Sequence, residues 1–321
     1  MKKFLHALPF LLLFLPALAS AQSWPSRPVR IIVPVLAGGS VDQTARFFAT
    51  ELSKALGQPF VVENKPGANG VIGLRNLAQA QPDGYTLGIS ANSFQTISPF
   101  LSPTPLPYDT VKDFTPISGL VNVAHVILAR PTLPASTIPE LVALAKATPD
   151  GLNHGAASNT GASYLASVLF RRRAGVKFTD VFYKGAAGAY TDLMGGQIDI
   201  LFDSLGAAIP LIKSGRVKAI ATTQEKRHPL TPDIPTVAET YPGFDTSGWY
   251  ALYGPAGLPG NIVNRLNTAV ARIFDSPQFH IFAENYGYEA MTGKPGQLAA
   301  TQASELAQWK EIAKVLTAKP G

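Results

Sequence analysis

The residues best placed to do chemistry in this chain are small and mostly uncharged. Ala37-Gly38-Gly39-Ser40, with Asp42 just beyond, ends a β-branched run (Val29, Ile31, Ile32, Val33) and opens a helical pattern at Val41. The first turn of a helix carries unpaired backbone N–H groups and a partial positive charge, so a glycine turn there can receive an anion. A second segment, Ser158-Asn159-Thr160-Gly161-Ala162-Ser163, joins a strand to a helix and is dense in hydroxyls. Its amides and the side chains of Ser158, Asn159, Thr160 and Ser163 could hold a carboxylate, although Ser, Thr and Asn also serve as ordinary helix caps. Tyr183-Lys184-Gly185 precedes another helical pattern, and Ser90-Ala91-Asn92-Ser93 follows a strand end. Each turn alone is an ordinary helix start. Four polar turns after strands together describe a crevice at the carboxyl ends of strands, built for anion capture.

Other chemistries lack their parts. His125, His154, His228 and His280 show no pair at metal-ligand spacing, there is no H-E-x-x-H, and no acidic calcium loop occurs. A serine nucleophile elbow needs glycines two residues either side of the serine. In Gly155–Gly161 they stand three away from Ser158. No phosphate-binding G-x-x-x-x-G-K-[ST] is present, and Gly67-Ala68-Asn69-Gly70-Val71-Ile72-Gly73 spaces its first glycines wrongly for a dinucleotide. No cofactor and no metal are expected. The one basic run, Arg171-Arg172-Arg173, follows the apolar helical pattern Tyr164–Phe170 without interleaved aromatics. It reads as a solvated helix end, with no nucleic acid as partner.

The elements that must position these turns alternate along the chain. Strands are expected at Val29–Val33, Pro59–Glu63, Tyr85–Ser90, just before His154–Ala157, and at Val181–Tyr183, Ile198–Phe202 and Val217–Thr222. Helices are expected at Val41–Leu56, Val71–Ala80, Ile138–Ala147, Ala162–Phe170, Gly188–Met194 and Ala207–Ser214. Such alternation implies parallel α/β sheets covered on both faces. The C-terminal part is more helical, with Asn261–Phe274, Ser276–Asn285 and Pro295–Leu316. At 321 residues the chain exceeds one ordinary domain, so two lobes are expected, joined by structured crossovers at Val121–Ala129 and Ile220–Thr223.

The first residues set the compartment. Lys2 and Lys3, an apolar stretch from Leu8 to Leu18 and Ala19-Ser20-Ala21 form the pattern of a cleaved secretory signal, too short for a membrane span of roughly 20 residues. The formal net charge is +6, two units of which belong to Lys2 and Lys3, and charged residues make up only 15% of the chain. No cysteine occurs, which removes disulfides, thiolate metal sites and a lipid-anchored lipoprotein. A soluble periplasmic protein, stabilised by its core alone, is the expectation.

The chain resembles the Bug, or TctC-like, substrate-binding proteins of tripartite tricarboxylate transporters. The resemblance rests on Trp24-Pro25-x-Arg27-Pro28, Pro34-x-x-Ala37-Gly38-Gly39-x-x-Asp42, Leu56-Gly57-Gln58, Val61–Ala68 and Pro82–Leu87. It continues through Tyr108-Asp109, Asp113-Phe114, Tyr183-Lys184-Gly185, Asp192–Asp199, Ile234–Glu239 and Ala256–Pro259. It implies a two-lobed type II periplasmic binding fold (a Venus flytrap), each lobe a mixed, mostly parallel sheet flanked by helices. The expected division is a signal at 1–21, a first lobe over 22–122 and 224–321, and a second lobe over 123–223. The resemblance further implies a non-enzymatic receptor that closes on a small organic carboxylate (di-, tricarboxylate or aromatic acid) and delivers it to membrane permease subunits. The chain itself is expected to be a monomer.

The resemblance assigns ligand binding through backbone amides and ordered water to Ala37, Gly38, Gly39, Ser40 and Asp42 in one lobe. In the other it assigns Ser158, Asn159, Thr160, Gly161 and Ser163, with Tyr183, Lys184 and Asp203 near the rim. Ser90 and Asn92 join them from the turn reading. Three departures fall around the expected cleft: Val35 stands for the usual Phe and Leu36 for Pro or Ala, Ala157, Ser158 and Tyr164 for Gly-Ser and His, and Phe182 for Pro. Val35 and Leu36 are therefore counted with the site, and the smaller Val35 suggests room for a bulkier or aromatic acid. A ligand sensor for a membrane signalling partner would use the same site. An exported carboxylester hydrolase would need a nucleophile–base pair that the sequence does not display.

Overall fold

The computed structural model describes residues 24–102, 104–156, 161–183 and 185–317, with side chains up to 314. The expected signal segment lies outside them. The chain opens with β1 (Val29–Val33), α1 (Ser40–Leu56), β2 (Phe60–Asn64), α2 (Val71–Ala78) and β3 (Thr86–Ala91). A π-helical turn (Ser93–Ile97), α3 (Ser98–Leu101) and the long β4 (Phe114–Val123) follow. Next come β5 (His125–Ala129), α4 (Ile138–Ala147), β6 (Leu152–Ala156), α5 (Ala162–Ala174), β7 (Phe178–Phe182), α6 (Ala186–Gly195), β8 (Ile200–Ser204), α7 (Leu205–Lys213) and β9 (Lys218–Thr222). The chain closes with a 3-10 turn (Val237–Glu239), β10 (Gly248–Pro255), α8 (Gly260–Phe274), α9 (Pro277–Tyr286), β11 (Tyr288–Ala290) and α10 (Pro295–Thr317).

Two sheets result, in the orders β11-β4-β10-β3-β1-β2 and β7-β6-β8-β5-β9. The expected parallel units are β2-β1-β3 and β7-β6-β8. The strands that carry the chain between the sheets, β4, β5, β9 and β10, pair antiparallel. Each sheet is therefore mixed, its parallel part confined to three strands.

Side chains alternate across each strand, so a continuous β-branched run feeds two cores at once. Val29, Ile31 and Val33 pack with Phe48, Leu52 and Leu266 on one face, while Ile32 meets Leu74, Leu77 and Tyr253 on the other. In the second sheet Ile127 and Ala129 join Leu141 and Phe170, whereas Val126 and Leu128 join Leu193 and Leu205. Along α1 the buried apolar residues Val41, Ala45, Phe48, Ala49 and Leu52 hold one stripe at helical spacing. Burying a side chain such as Phe48 contributes about 1.5–3 kcal/mol. Phe47, on the flank of that stripe, stacks on Phe282 of α9 with centroids 4.1 Å apart. Gly57 ends α1 in the left-handed region, at φ 73°, its N–H returning to the Ser53 carbonyl.

The first crossing is a single residue, Ala124, between β4 and β5. The return comes later than the expected boundary at residue 223. Residues 224–247 do not rejoin the first sheet; Val237, Tyr241 and Phe244 among them pack on the second core beside Phe170. First-sheet pairing resumes at Gly248. The two crossings lie side by side, because Thr223 donates to the His125 carbonyl and Thr246 to the Thr223 carbonyl. Such a short double strand is where the sheets can rotate against each other.

Beside it the two halves meet backbone to backbone. A Cβ on Gly206, in α7, would lie 1.8 Å from the Tyr286 carbonyl oxygen at the end of α9. We predict that Gly206→Ala forces α7 and α9 apart and costs about 1–3 kcal/mol, as overpacking does. Gly195→Ala at the end of α6, where no atom lies within 4 Å, is the control and is expected to be near neutral. Equal melting temperatures for the two variants would contradict this contact.

Candidate functional site

The carboxyl ends of β1 and β3, the ends of β8, and the starts of β10, α1 and α5 converge on a cavity of about 220 Å³. Its walls include Val35, Ser40, Asn92 and Tyr250 from the first sheet's side and His125, Ser163 and Asp203 from the second's. This is the position where open α/β sheets bind ligands, outside the carboxyl ends of their strands.

Two of the helices that start at the cavity, α1 and α5, begin at a glycine, which has no side chain to cap them. Gly39 precedes α1 in an extended conformation and Gly161 does the same for α5, each without a side-chain hydrogen bond to its helix. By contrast α4 and α9 are capped by Thr137 and Ser276. Among the described residues, no N-cap side chain occupies the first-turn amides of α1 or α5 at the cavity. A Cβ on Gly38 or Gly39 would meet nothing within 4 Å, so the turn borders open space.

That turn is held from behind by Asp42, whose carboxylate points inward and is 2% exposed. It accepts hydrogen bonds from the Gly38 N–H (2.9 Å), Arg46 Nε (2.9 Å) and Asn64 Nδ2 (2.8 Å). Asn64 donates also to the Val35 carbonyl. Burial alone would raise the Asp42 pKa, but these donors outweigh it and hold the carboxyl below its ordinary range. Asp42, expected among the ligand contacts, has its oxygens engaged in fixing the turn. The Gly38 N–H is committed to the same bond.

Two residues that the turn reading omitted stand at the centre. Tyr250 Oη and Ser40 Oγ lie 2.8 Å apart and share a hydrogen bond, with the buried phenol kept neutral by a raised pKa. His125 is buried, and its pKa is lowered to about 4 by burial, against the smaller opposing effects of the Thr246 carbonyl and Asp245. Its Nδ1 lies 3.2 Å from the Thr246 carbonyl, which can only accept. The ring is therefore neutral with Nδ1 protonated, leaving Nε2 as an acceptor. A strand called only as a crossover hid His125, and Tyr250 lies on β10, which no turn pattern announced.

Asp203 also lines the cavity. One carboxylate oxygen accepts from the Ser204 N–H at 2.8 Å, and burial raises its pKa against the Ser204 and Tyr190 hydrogen bonds. Among the described residues lining the cavity there is no lysine or arginine. An anion there must be held by amides, hydroxyls and helix starts.

Several expected site residues lie elsewhere. Leu36 projects into solvent at 73% exposure, and Ala37, Gly38 and Gly39 form the exposed crest of the turn beside the cavity. Ser90 is fully buried, accepting from Gln95 Nε2 at 3.1 Å. Tyr183 turns into the second lobe, where its hydroxyl donates to Asp192 at 2.7 Å and burial pushes its pKa up to about 12. Tyr164 donates to Asp180, which Arg171 and His154 also hold, and it is absent from the cavity wall. Ser158, Asn159, Thr160 and Lys184 lie outside the described residues, and of that second turn Gly161 and Ser163 are seen at the start of α5. Among the described residues no group of acids and histidines could hold a metal ion, and no helix is long and apolar enough to cross a membrane.

Two measurements check this geometry. Asp42→Ala should cost about 2–3 kcal/mol at pH 7, the scale of hydrogen bonds to a buried charge, the half-exposed Arg46 adding little. Because the folded carboxyl titrates below the unfolded value of about 3.9, this contribution is complete above that pH and fades as pH falls through the folded pKa. An unfolding difference between the two proteins that persists undiminished at pH 2 would contradict it. The His125 ring resonances should titrate near pH 4, and a midpoint near 6.5 would place the ring in water.

Comparison with known proteins agrees with this arrangement. A family model described as the tripartite tricarboxylate transporter family receptor, TctC, matches residues 44–317. A UPF0065 protein of Bordetella bronchiseptica is 36% identical over 97% of this chain and 92% of its own. Among solved structures, R. palustris Rpa4515 with adipate superposes with a TM-score of 0.80 at 33% identity, covering 91% of this chain and 97% of that one. MatC from Rhodopseudomonas palustris with bound malate gives 0.77 at 33% identity, covering 90% and 100%. The chain belongs to the TctC family of tripartite tricarboxylate transporter receptors.

Proposed function

We propose that this solute-binding receptor works in the periplasm, where it captures a small organic carboxylate between its two lobes and hands it to the membrane permease subunits of a tripartite transporter. The observation that carries this reading is the pair of uncapped helix starts, at Ser40 and Ala162, facing one cavity without a lysine or arginine among its described lining residues. A carboxylate satisfies unpaired N–H groups and the positive ends of two helices together. Related structures with adipate and malate support an organic acid as the ligand class. Val35, a small side chain half-buried in the cavity wall, leaves room for an acid bulkier than these.

Binding is coupled to closure. The first-lobe amides and Ser40 contact one side of the acid and the α5 start with Ser163 the other, so all contacts form only when the lobes approach. Ligand then shifts the population toward the closed state by the difference in its affinity for the two.

The test is calorimetric titration with benzoate, terephthalate, adipate, malate and citrate. At least one is expected to bind, and Gly39→Phe, whose ring enters open space in the free protein, should weaken that ligand at least tenfold while leaving the melting temperature of the free protein within about 2 °C. Gly39 suits this purpose better than Gly38, whose φ of +92° would add backbone strain. Unchanged affinity in Gly39→Phe would remove the α1 turn from the site.

A further inference from the structure

Next to the 220 Å³ cavity lies a larger chamber of about 550 Å³, between α5 on one side and α10 on the other. The two share Asn92, Ala162 and Gly248 in their walls, so they adjoin at a common neck. A ligand that filled only the smaller cavity would leave this space to water. Its walls combine apolar surface from Leu165, Trp249, Met291 and Trp309 with two carboxylates, Glu305 and Asp245, and with amides and hydroxyls such as Asn122, Thr301 and Gln308 that both donate and accept.

Glu305, on the inner side of α10, is central to that set. Its carboxylate accepts from Trp249 Nε1 at 2.6 Å and from Thr96 Oγ1 at 2.9 Å, and it also engages Asn92. Burial raises its pKa, so another negative charge nearby would be opposed. At the neck, the Asn92 amide nitrogen faces the Ser247 carbonyl at 3.5 Å as well as Glu305, which leaves its Oδ1 as the free acceptor on the Gly248 side. Asp245 lies farther along the wall. No lysine or arginine lines the chamber among the described residues.

The two carboxylates accept only, and a ligand group beside them must donate. A second carboxylate reaching into the chamber would face Glu305 and Asn92 Oδ1 with no cation to offset the repulsion and desolvation. A hydroxyl or ammonium would satisfy the same atoms, and its hydrocarbon or aromatic body would lie along the two tryptophans.

We propose that the ligand is a monocarboxylate whose far end bears a hydrogen-bond donor, a hydroxyl or an ammonium, and that this end occupies the chamber between α5 and α10. The proposal deepens the carboxylate reading above and rests on it. It separates this chain from the relatives solved with adipate and malate, because it excludes a second carboxylate at the far end.

The test is calorimetric titration of the protein with acids of matched size that differ only at the far end. Terephthalate, 4-(hydroxymethyl)benzoate and 4-(aminomethyl)benzoate form one set; adipate, 6-hydroxyhexanoate and 6-aminohexanoate form the other. In at least one set the hydroxy or amino acid is expected to bind tenfold or more tightly than the dicarboxylate. Dicarboxylates that bind as tightly, or more tightly, overturn the proposal while leaving the carboxylate reading in place. No binding by any of the six, nor by benzoate, malate or citrate, overturns both.

Two variants locate the far end. Glu305→Gln preserves shape and should weaken the preferred amino acid at least fivefold while changing its hydroxy counterpart less than twofold. Thr301→Phe, filling the chamber from α10, should weaken both at least tenfold and leave benzoate, which ends before the neck, unchanged. If neither variant alters any affinity, the far end does not lie in the chamber and the proposal fails.

Discussion

The geometry of the cleft depends on one buried carboxylate whose oxygens are engaged within the protein. Asp42 sits inside the first turn of α1 and draws three donors to itself: the Gly38 amide, the Asn64 amide and the Arg46 guanidinium. Asn64 is the last residue of β2, Gly38 belongs to the turn after β1, and Arg46 is one helical turn on. One buried anion therefore ties two strands and a helix to the same point. With Asp42 occupied in this way, the turn can stay glycine-rich and uncapped without losing its shape. A capping side chain would do the same local job but would fill the space a ligand needs.

The second constraint is that the two sheets are joined by side-by-side strands and by little else that is rigid. Thr223, His125 and Thr246 are stitched through backbone bonds, and the His125 ring rests on the Thr246 carbonyl. Gly206 and Gly287 allow α7 to sit directly on the end of α9. On the other flank Leu165 of α5 meets Ile97 and Trp309 of the first-sheet side. Cavity and chamber lie between these contacts, so their volumes follow from the angle between the sheets. That angle, more than any one side chain, sets how much ligand can be enclosed.

The sequence carries some of this plainly and the rest only weakly. The βα units could be read because each is local: a β-branched run, a small-residue turn and an apolar stripe at helical spacing lie within about thirty residues. The glycine turns before α1 and α5 were legible for the same reason. β10 was not, because its residues are all buried and show no alternation, and because it enters between strands encoded more than a hundred residues earlier. With it went Tyr250, which reaches Ser40 across 210 residues. Asp42 was seen, but its inward bonding was not: spacing marks a carboxylate beside a glycine turn, and it does not say which way the carboxylate points. His125 was passed over as a solitary histidine, since its importance comes from the crossing strands around it. Residues 224–247 went to the wrong half because loops carry no periodicity to say which core Tyr241 and Phe244 will join.

The proposed anion site lies between two helix starts with no lysine or arginine among its described lining residues. The most direct test follows backbone amide resonances in 15N-labelled protein while a binding carboxylate is added. The amides of Ser40, Val41, Ala162 and Ser163 are expected to shift together, reaching saturation at one shared ligand concentration. Shifts confined to one helix start, or centred on exposed arginines such as Arg172 and Arg173, would contradict the account.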